Sequence, residues 1–267
     1  MFLESAKAIY YATQQLFKSW RTMAWIAAIY TALLATIYFF VSTREATVTQ
    51  LAISLSLAIA APILFFMLQS ASAAYTLNDK TSTVLKKSLG DFWKLIIVSL
   101  PVIALTLLAI YLLNRVQAHL SPLAASTQSQ LSLGGQAFRQ PWGLTVLNTI
   151  KYLLVGVVAP LMLIQLWIAV SKHGLRLLFN RLREVGAGTF APESFMIYIA
   201  GFVAFAVIPY LALFKPISSQ RAWLEISLLT LRLLVGALLL LLGWVTTVGA
   251  LSISTRTPAE GPQAGER

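Results

Sequence analysis

Apolar residues along this chain gather into six long blocks, and polar residues collect between them. The blocks are Met23 to Val41, Leu51 to Leu68, Leu95 to Leu113, Tyr152 to Val170, Phe195 to Phe214 and Leu233 to Leu251. A hydrocarbon core of about 30 Å needs about 20 apolar residues at about 1.5 Å rise each, and every block is of about that length with almost no internal charge. Continuous runs predict helices, since barrel strands alternate over about ten residues. The expected fold is therefore an all-α polytopic membrane helix bundle. Six transmembrane helices occupy 23–254, an amphipathic arm covers 1–22, and a Pro-, Gly- and Glu-rich tail, 255–267, is expected to be disordered.

The polar intervals have patterns of their own. In the arm, Phe2/Leu3, Ala6, Ile9/Tyr10, Thr13, Leu16/Phe17 and Trp20 recur every three to four residues, with Glu4, Lys7, Gln14, Lys18 and Arg21 largely elsewhere. This predicts a helix lying in the membrane interface, either an anchor for the first span or a docking element for a partner. No cleavage site for a signal peptide follows it. Between the second and third spans, Thr81-Ser82 is a helix start, Val84, Leu85 and Leu89 an apolar face, Lys86 and Lys87 a polar one, and Gly90 a stop before Asp91, which is placed to cap the next span. Between the fourth and fifth, Leu175, Leu178, Phe179 and Leu182 form a stripe beside Arg176, Arg181 and Arg183, with Gly186 and Gly188 read as the turn that ends it.

Lys and Arg are unequally shared between the two sides. The arm, the second and fourth connections and the tail hold 13 of them, and the three other connections hold 7. By the positive-inside rule both termini are expected in the cytoplasm.

Prolines hint at an internal repeat: Pro62 and Pro101 flank one basic loop, Pro160 and Pro209 the other. On the opposite side 114–143 is the one long connection. It is polar, broken by Ser121-Pro122, Gly134-Gly135 and Pro141-Trp142-Gly143, and is expected to be irregular.

Composition narrows the function classes. Of 267 residues 58% are hydrophobic and 11% charged, and mean hydropathy is +0.77, which excludes a soluble globular enzyme. The net charge of +11 points to anionic phospholipid head groups; the cations form no run with interleaved aromatics, so nucleic acid is not expected as a partner. Without cysteine there is no disulfide framework, thiolate nucleophile or iron–sulfur cluster. Phosphate-loop, zinc-protease and nucleophile-elbow motifs are absent, and His119 and His173 fall on opposite sides. All nine carboxylates lie in connections or at span ends, against carboxylate-driven proton transport. No catalytic residue, metal or cofactor is expected.

Seven cations remain as candidate contacts. Lys151 and Arg232, near Asn148 and Glu225 at the outer ends of spans, either snorkel to head groups or form a vestibule for a lipid phosphate or other anion. Lys86, Lys87, Arg176, Arg181 and Arg183 are candidate contacts for lipid or a cytoplasmic partner. Gln69 and Gln165 are expected to hydrogen-bond between helices.

Phe17-Lys18-Ser19-Trp20-Arg21 and Leu85-Lys86-Lys87-Ser88-Leu89-Gly90-Asp91-Phe92-Trp93-Lys94, each leading into an apolar span, resemble the bacterial six-helix proteins grouped with the membrane domain of glycerophosphodiester phosphodiesterases. The resemblance covers about the first 110 residues. It implies a six-helix module of a bacterial inner membrane; the soluble phosphodiesterase domain has no counterpart here. The leading expectation is a non-enzymatic module that organises or regulates membrane partners or lipids. The alternative is a permease subunit of an ATP-driven exporter with a cytosolic ATPase on a separate chain, from which the sequence departs in placing its long outer loop between spans three and four.

Overall fold

The structure, a computed structural model, describes residues 2–43, 47–76, 81–131, 142–178, 182–214 and 222–254. The expected tail disorder, most of the fourth-loop stripe's end (Phe179, Arg181) and residues 132–141 lie outside the described residues. Among those described there is no strand, and six helices are long and apolar enough to cross a membrane.

Among the described residues eleven helices follow one another: α1 (Phe2–Lys18), α2 (Trp20–Ser42), α3 (Val48–Thr76), α4 (Thr81–Gly90), α5 (Phe92–Leu131), α6 (Trp142–Leu153), α7 (Ala159–Leu178), α8 (Leu182–Thr189), α9 (Pro192–Phe202), α10 (Ile208–Phe214) and α11 (Ala222–Ser254). Two π-helical turns, Leu154–Val158 and Val203–Val207, join α6 to α7 and α9 to α10. Each ends one residue before an Ala-Pro or Ile-Pro step, at Pro160 and Pro209. Proline has no N–H to continue the α ladder, and a π turn absorbs the resulting offset. The helix α3 runs straight through Pro62, and α5 through Pro101, so the two halves of the suggested repeat differ here.

Three hairpins result: α2 on α3, α5 on α6 and α7, and α9 with α10 on α11. They meet at the end that carries α1, α4 and α8, called the base below; the opposite end is the rim. At the base α3 touches α5, α7 and α11, and α7 touches α9 and α11. One buried cluster gathers Leu95, Leu161, Ile164, Trp167, Ile197 and Leu251; a second gathers Ile26, Leu68, Ala71, Val84, Leu241 and Val245. Toward the rim burial thins, with Thr36, Ser54 and Pro209 still buried there. No described residue of α6 is buried, and none of α11 before Leu241. Apolar flanks are stable there because lipid is as good a solvent for Leu as another helix.

Three expectations need correction. The connection at 114–143 is not irregular throughout: α5 continues unbroken to Leu131, and Trp142 and Gly143, read as breakers, open α6. Backbone hydrogen bonds close locally in a helix, so a polar Ser/Gln sequence can extend one that lipid has already nucleated. Gly186 and Gly188 do not end a helix but lie inside α8. Its last turn is held by the Thr189 hydroxyl, which donates to the Val185 carbonyl at 2.9 Å, and by the Phe190 N–H on Gly186 at 3.1 Å. Among the described residues of this region the backbone breaks from helix at Gly174, whose φ of 75° suits a residue without Cβ. Finally, α1 is amphipathic, and among its described side chains Ala8 and Ala12 are buried, against α9 and α11, with the expected Ile9 half-buried beside them. Tyr10 and Tyr11, of which Tyr10 had been placed on the apolar face, are exposed. Small residues let α1 approach closely, which an aromatic face would prevent.

Candidate functional site

At the base, polar side chains in apolar helices meet one another across the hairpins. Three tryptophans each donate an indole N–H to a side-chain oxygen on another helix: Trp25 of α2 to Ser88 of α4 at 3.3 Å, Trp167 of α7 to Ser99 of α5 at 2.8 Å, and Trp244 of α11 to Gln69 of α3 at 2.7 Å. Trp167 and Trp244 also lie 6.5 Å apart, ring centre to ring centre, beside Phe65 and Phe66. The Gln165 amide donates to Ser194 at 3.5 Å, and Lys172 reaches the Ser252 carbonyl at 3.4 Å. The expected interhelical role of Gln69 and Gln165 is met. A donor in hydrocarbon without a partner is costly, so each pair selects one packing of its two helices.

Three further contacts fix the third hairpin. Helices α9 and α11 cross where glycines leave room. A Cβ on Gly201 would come within 2.2 Å of Thr247 Oγ1, and one on Gly243 within 2.1 Å of Phe205 Cβ, so α9 leaves a gap for Thr247 of α11, and α11 one for Phe205 of the π turn that follows α9. The Tyr198 hydroxyl donates at 2.9 Å to the carbonyl of Gly156 in the π turn of the second hairpin.

Recesses open around this scaffold, two of them with distinct linings. One, of ≈ 330 Å³, lies between the π turn at Leu154–Val158 and α9, walled by Val157, Leu161, Phe190, Pro192, Phe195 and Met196. The other is an open groove of ≈ 460 Å³ between α2 and α4. Arg21, Thr81 and Ser82 line its polar part, Ala24, Ala28 and Leu85 its apolar part, with Trp25 between. The Thr22 and Thr81 hydroxyls share a hydrogen bond of 2.7 Å that holds α4 to the start of α2, and the Arg21 guanidinium stands 5.8 Å from the Trp20 ring centre.

The cations expected as contacts fall into separate places. Lys86 is exposed and Lys87 half-buried on α4; Arg183 is exposed on α8; Arg176 belongs to α7, and Arg181 lies outside the described residues. The helix expected at 81–90 is therefore present, and the Asp91 carboxylate that follows it pairs with Lys94 at 2.5 Å. Toward the rim Lys151, on α6, hydrogen-bonds Gln117 of α5 within its own hairpin. Arg232 is half-buried on α11, in another hairpin, and neither it nor Glu225 is without a partner. Among the described residues no three His, Asp or Glu side chains gather as metal ligands. The Arg21 groove has no signature in linear sequence, since Thr81 lies 59 residues from the Thr22 hydroxyl that holds it. Tyr198 could have been sought: a proline at 160 announces an unserved carbonyl at 156. Comparison with models of protein families, curated proteins and solved structures finds no match to this chain.

Proposed function

We propose that this multi-pass membrane protein is a non-enzymatic module that organises or regulates lipids or other membrane proteins. The supporting observation is where its buried polar groups are used. Trp25, Trp167, Trp244, Gln69, Gln165, Ser88, Ser99 and Ser194 all tie helix to helix at the base, while the rim half keeps long apolar flanks such as Leu105, Leu107, Leu234 and Leu238 exposed. A stiff base with three separate apolar hairpin flanks offers surfaces to acyl chains or to the spans of a partner. We place it in a bacterial inner membrane with both termini, and so the base, in the cytoplasm. The Lys/Arg bias and the resemblance to six-helix bacterial membrane proteins support that placement. An alkaline phosphatase reporter fused after Arg267 is expected to be inactive, and activity outside the cell overturns the orientation.

The permease alternative draws on α4 and α8, two short helices at the base with Leu85, Lys86, Leu89 and Arg183 exposed. Photo-crosslinking from native membranes separates the two readings. With a benzophenone amino acid at Leu105 or Leu234, adducts to lipid or to a membrane protein are expected. A stoichiometric ATPase crosslinked from Lys86 or Arg183, and lost when Lys86, Lys87, Arg181 and Arg183 are replaced, makes the chain a permease subunit instead.

A further inference from the structure

The groove between α2 and α4 is ordered in polarity along the axis of α2. Arg21 lies in the first turn of α2, and Ala24 and Ala28 follow on the same face at i+3 and i+7, about 4.5 and about 10.5 Å deeper at 1.5 Å per residue. Across the groove Thr81 and Ser82 stand level with Arg21, because the Thr22–Thr81 hydroxyl contact joins the helices there, and Leu85 faces the deeper part. The alanines make the recess: between the bulk of Trp25 and Leu85 they leave a furrow that opens at the cation and runs into the hydrocarbon. Trp20 stands beside Arg21, its ring centre 5.8 Å from the guanidinium, and amphipathic indoles settle at head-group depth.

We propose that this groove binds one anionic phospholipid of the leaflet at the base, which names the lipid class for the organising role proposed above and rests on it. The phosphodiester takes the guanidinium of Arg21 and hydroxyl donors of Thr81 and Ser82; an acyl chain lies over Ala24, Ala28 and Leu85. A planar guanidinium presents paired donors that match two phosphate oxygens. Lys86 and Lys87 on the same helix as the hydroxyls add attraction for an anionic over a zwitterionic head group. A free phosphate shares the polar contacts but has nothing to lay along the alanines, so the apolar furrow favours the lipid.

The test is native mass spectrometry of the full chain in detergent, titrated with phosphatidylglycerol, phosphatidylcholine or inorganic phosphate. The wild type is expected to retain one phosphatidylglycerol in preference to phosphatidylcholine, with no displacement by inorganic phosphate. Arg21→Ala is expected to weaken retention about tenfold, the loss of about one charge-assisted hydrogen bond. Ala28→Phe, which fills the furrow and leaves the charge, is also expected to weaken it. Both positions are exposed, and circular dichroism and melting confirm the fold of each variant. Equal retention by wild type and both variants overturns the site. Displacement by inorganic phosphate, with Ala28→Phe unaffected, overturns the lipid in favour of a bare anion. Failure of the wild type to retain phosphatidylglycerol, while rim adducts from Leu105 and Leu234 still form, overturns this site and leaves the organising role standing.

Discussion

The hydroxyl of Tyr198 donates to the carbonyl oxygen of Gly156 at 2.9 Å, and Gly156 stands four residues before Pro160. The proline withholds the N–H that an α-helix would supply to that carbonyl, and a tyrosine from another hairpin supplies an O–H instead. The bond thus repairs a helix and joins two hairpins. Tyr198→Phe is expected to cost about 1 kcal/mol, the range of interhelical hydrogen bonds in bilayers. In a Pro160→Ala background, where the helix can serve Gly156 itself, the same change is expected to cost much less. Equal costs in the two backgrounds, measured by reversible unfolding in micelles, refute the repair.

The crossing of α9 and α11 depends on missing side chains. Gly243→Ala would drive a methyl group to within 2.1 Å of Phe205 Cβ, an atom fixed to the backbone, so the helices must separate. A loss of about 1–3 kcal/mol or more is expected. Gly236→Ala, on the same helix with nothing within 4 Å, is expected to be neutral or slightly stabilising. Comparable melting temperatures for the two variants would contradict the close crossing.

Similar reasoning applies to α1, which rests on α9 and α11 through Ala8 and Ala12. Ala12→Leu is expected to lift the helix and raise its amide hydrogen exchange, whereas Tyr10→Ala, at a residue 66% exposed, leaves exchange unchanged. The reverse order would put the aromatic face inward, as the sequence pattern alone suggests.

Among the described residues the Ser54 hydroxyl is the one buried side-chain oxygen with no hydrogen-bond partner, whereas Ser56 on the same helix donates to Ala52 at 2.8 Å. Removing an unserved polar group relieves a desolvation cost. Ser54→Ala is therefore expected to leave stability unchanged or raise it by about 1 kcal/mol; a clear loss in thermal unfolding would count against this.

Trp244→Phe and Trp167→Phe remove comparable bulk but leave different acceptors behind. Ser99 still has its own bond to the Leu95 carbonyl at 2.7 Å when Trp167 is changed, whereas the Gln69 oxygen loses the indole donor when Trp244 is changed. Trp244→Phe is expected to be the more damaging by about 1 kcal/mol, and parity in a denaturation series would show Gln69 served by another group.

Properties that each residue contributes alone are legible along the chain. Transfer into hydrocarbon is close to additive along a segment, so six apolar blocks specified six spans, and Thr81 to Gly90 specified the helix between the second and third. Local signals at the limits of those spans were weaker, because a helix in lipid costs little to extend. Hence α5 passes Leu113 and α8 passes Gly186.

Which faces meet depends on contacts between distant parts of the chain. Lipid solvates an apolar face as well as a neighbouring helix does, so hydropathy carries no information about partners. The choice falls to close steric fit and to scattered polar pairs: Gly201 with Thr247, Gly243 with Phe205, Trp244 with Gln69, Thr22 with Thr81. These partners lie 38 to 175 residues apart in the chain, and their complementarity exists only once the hairpins converge at the base.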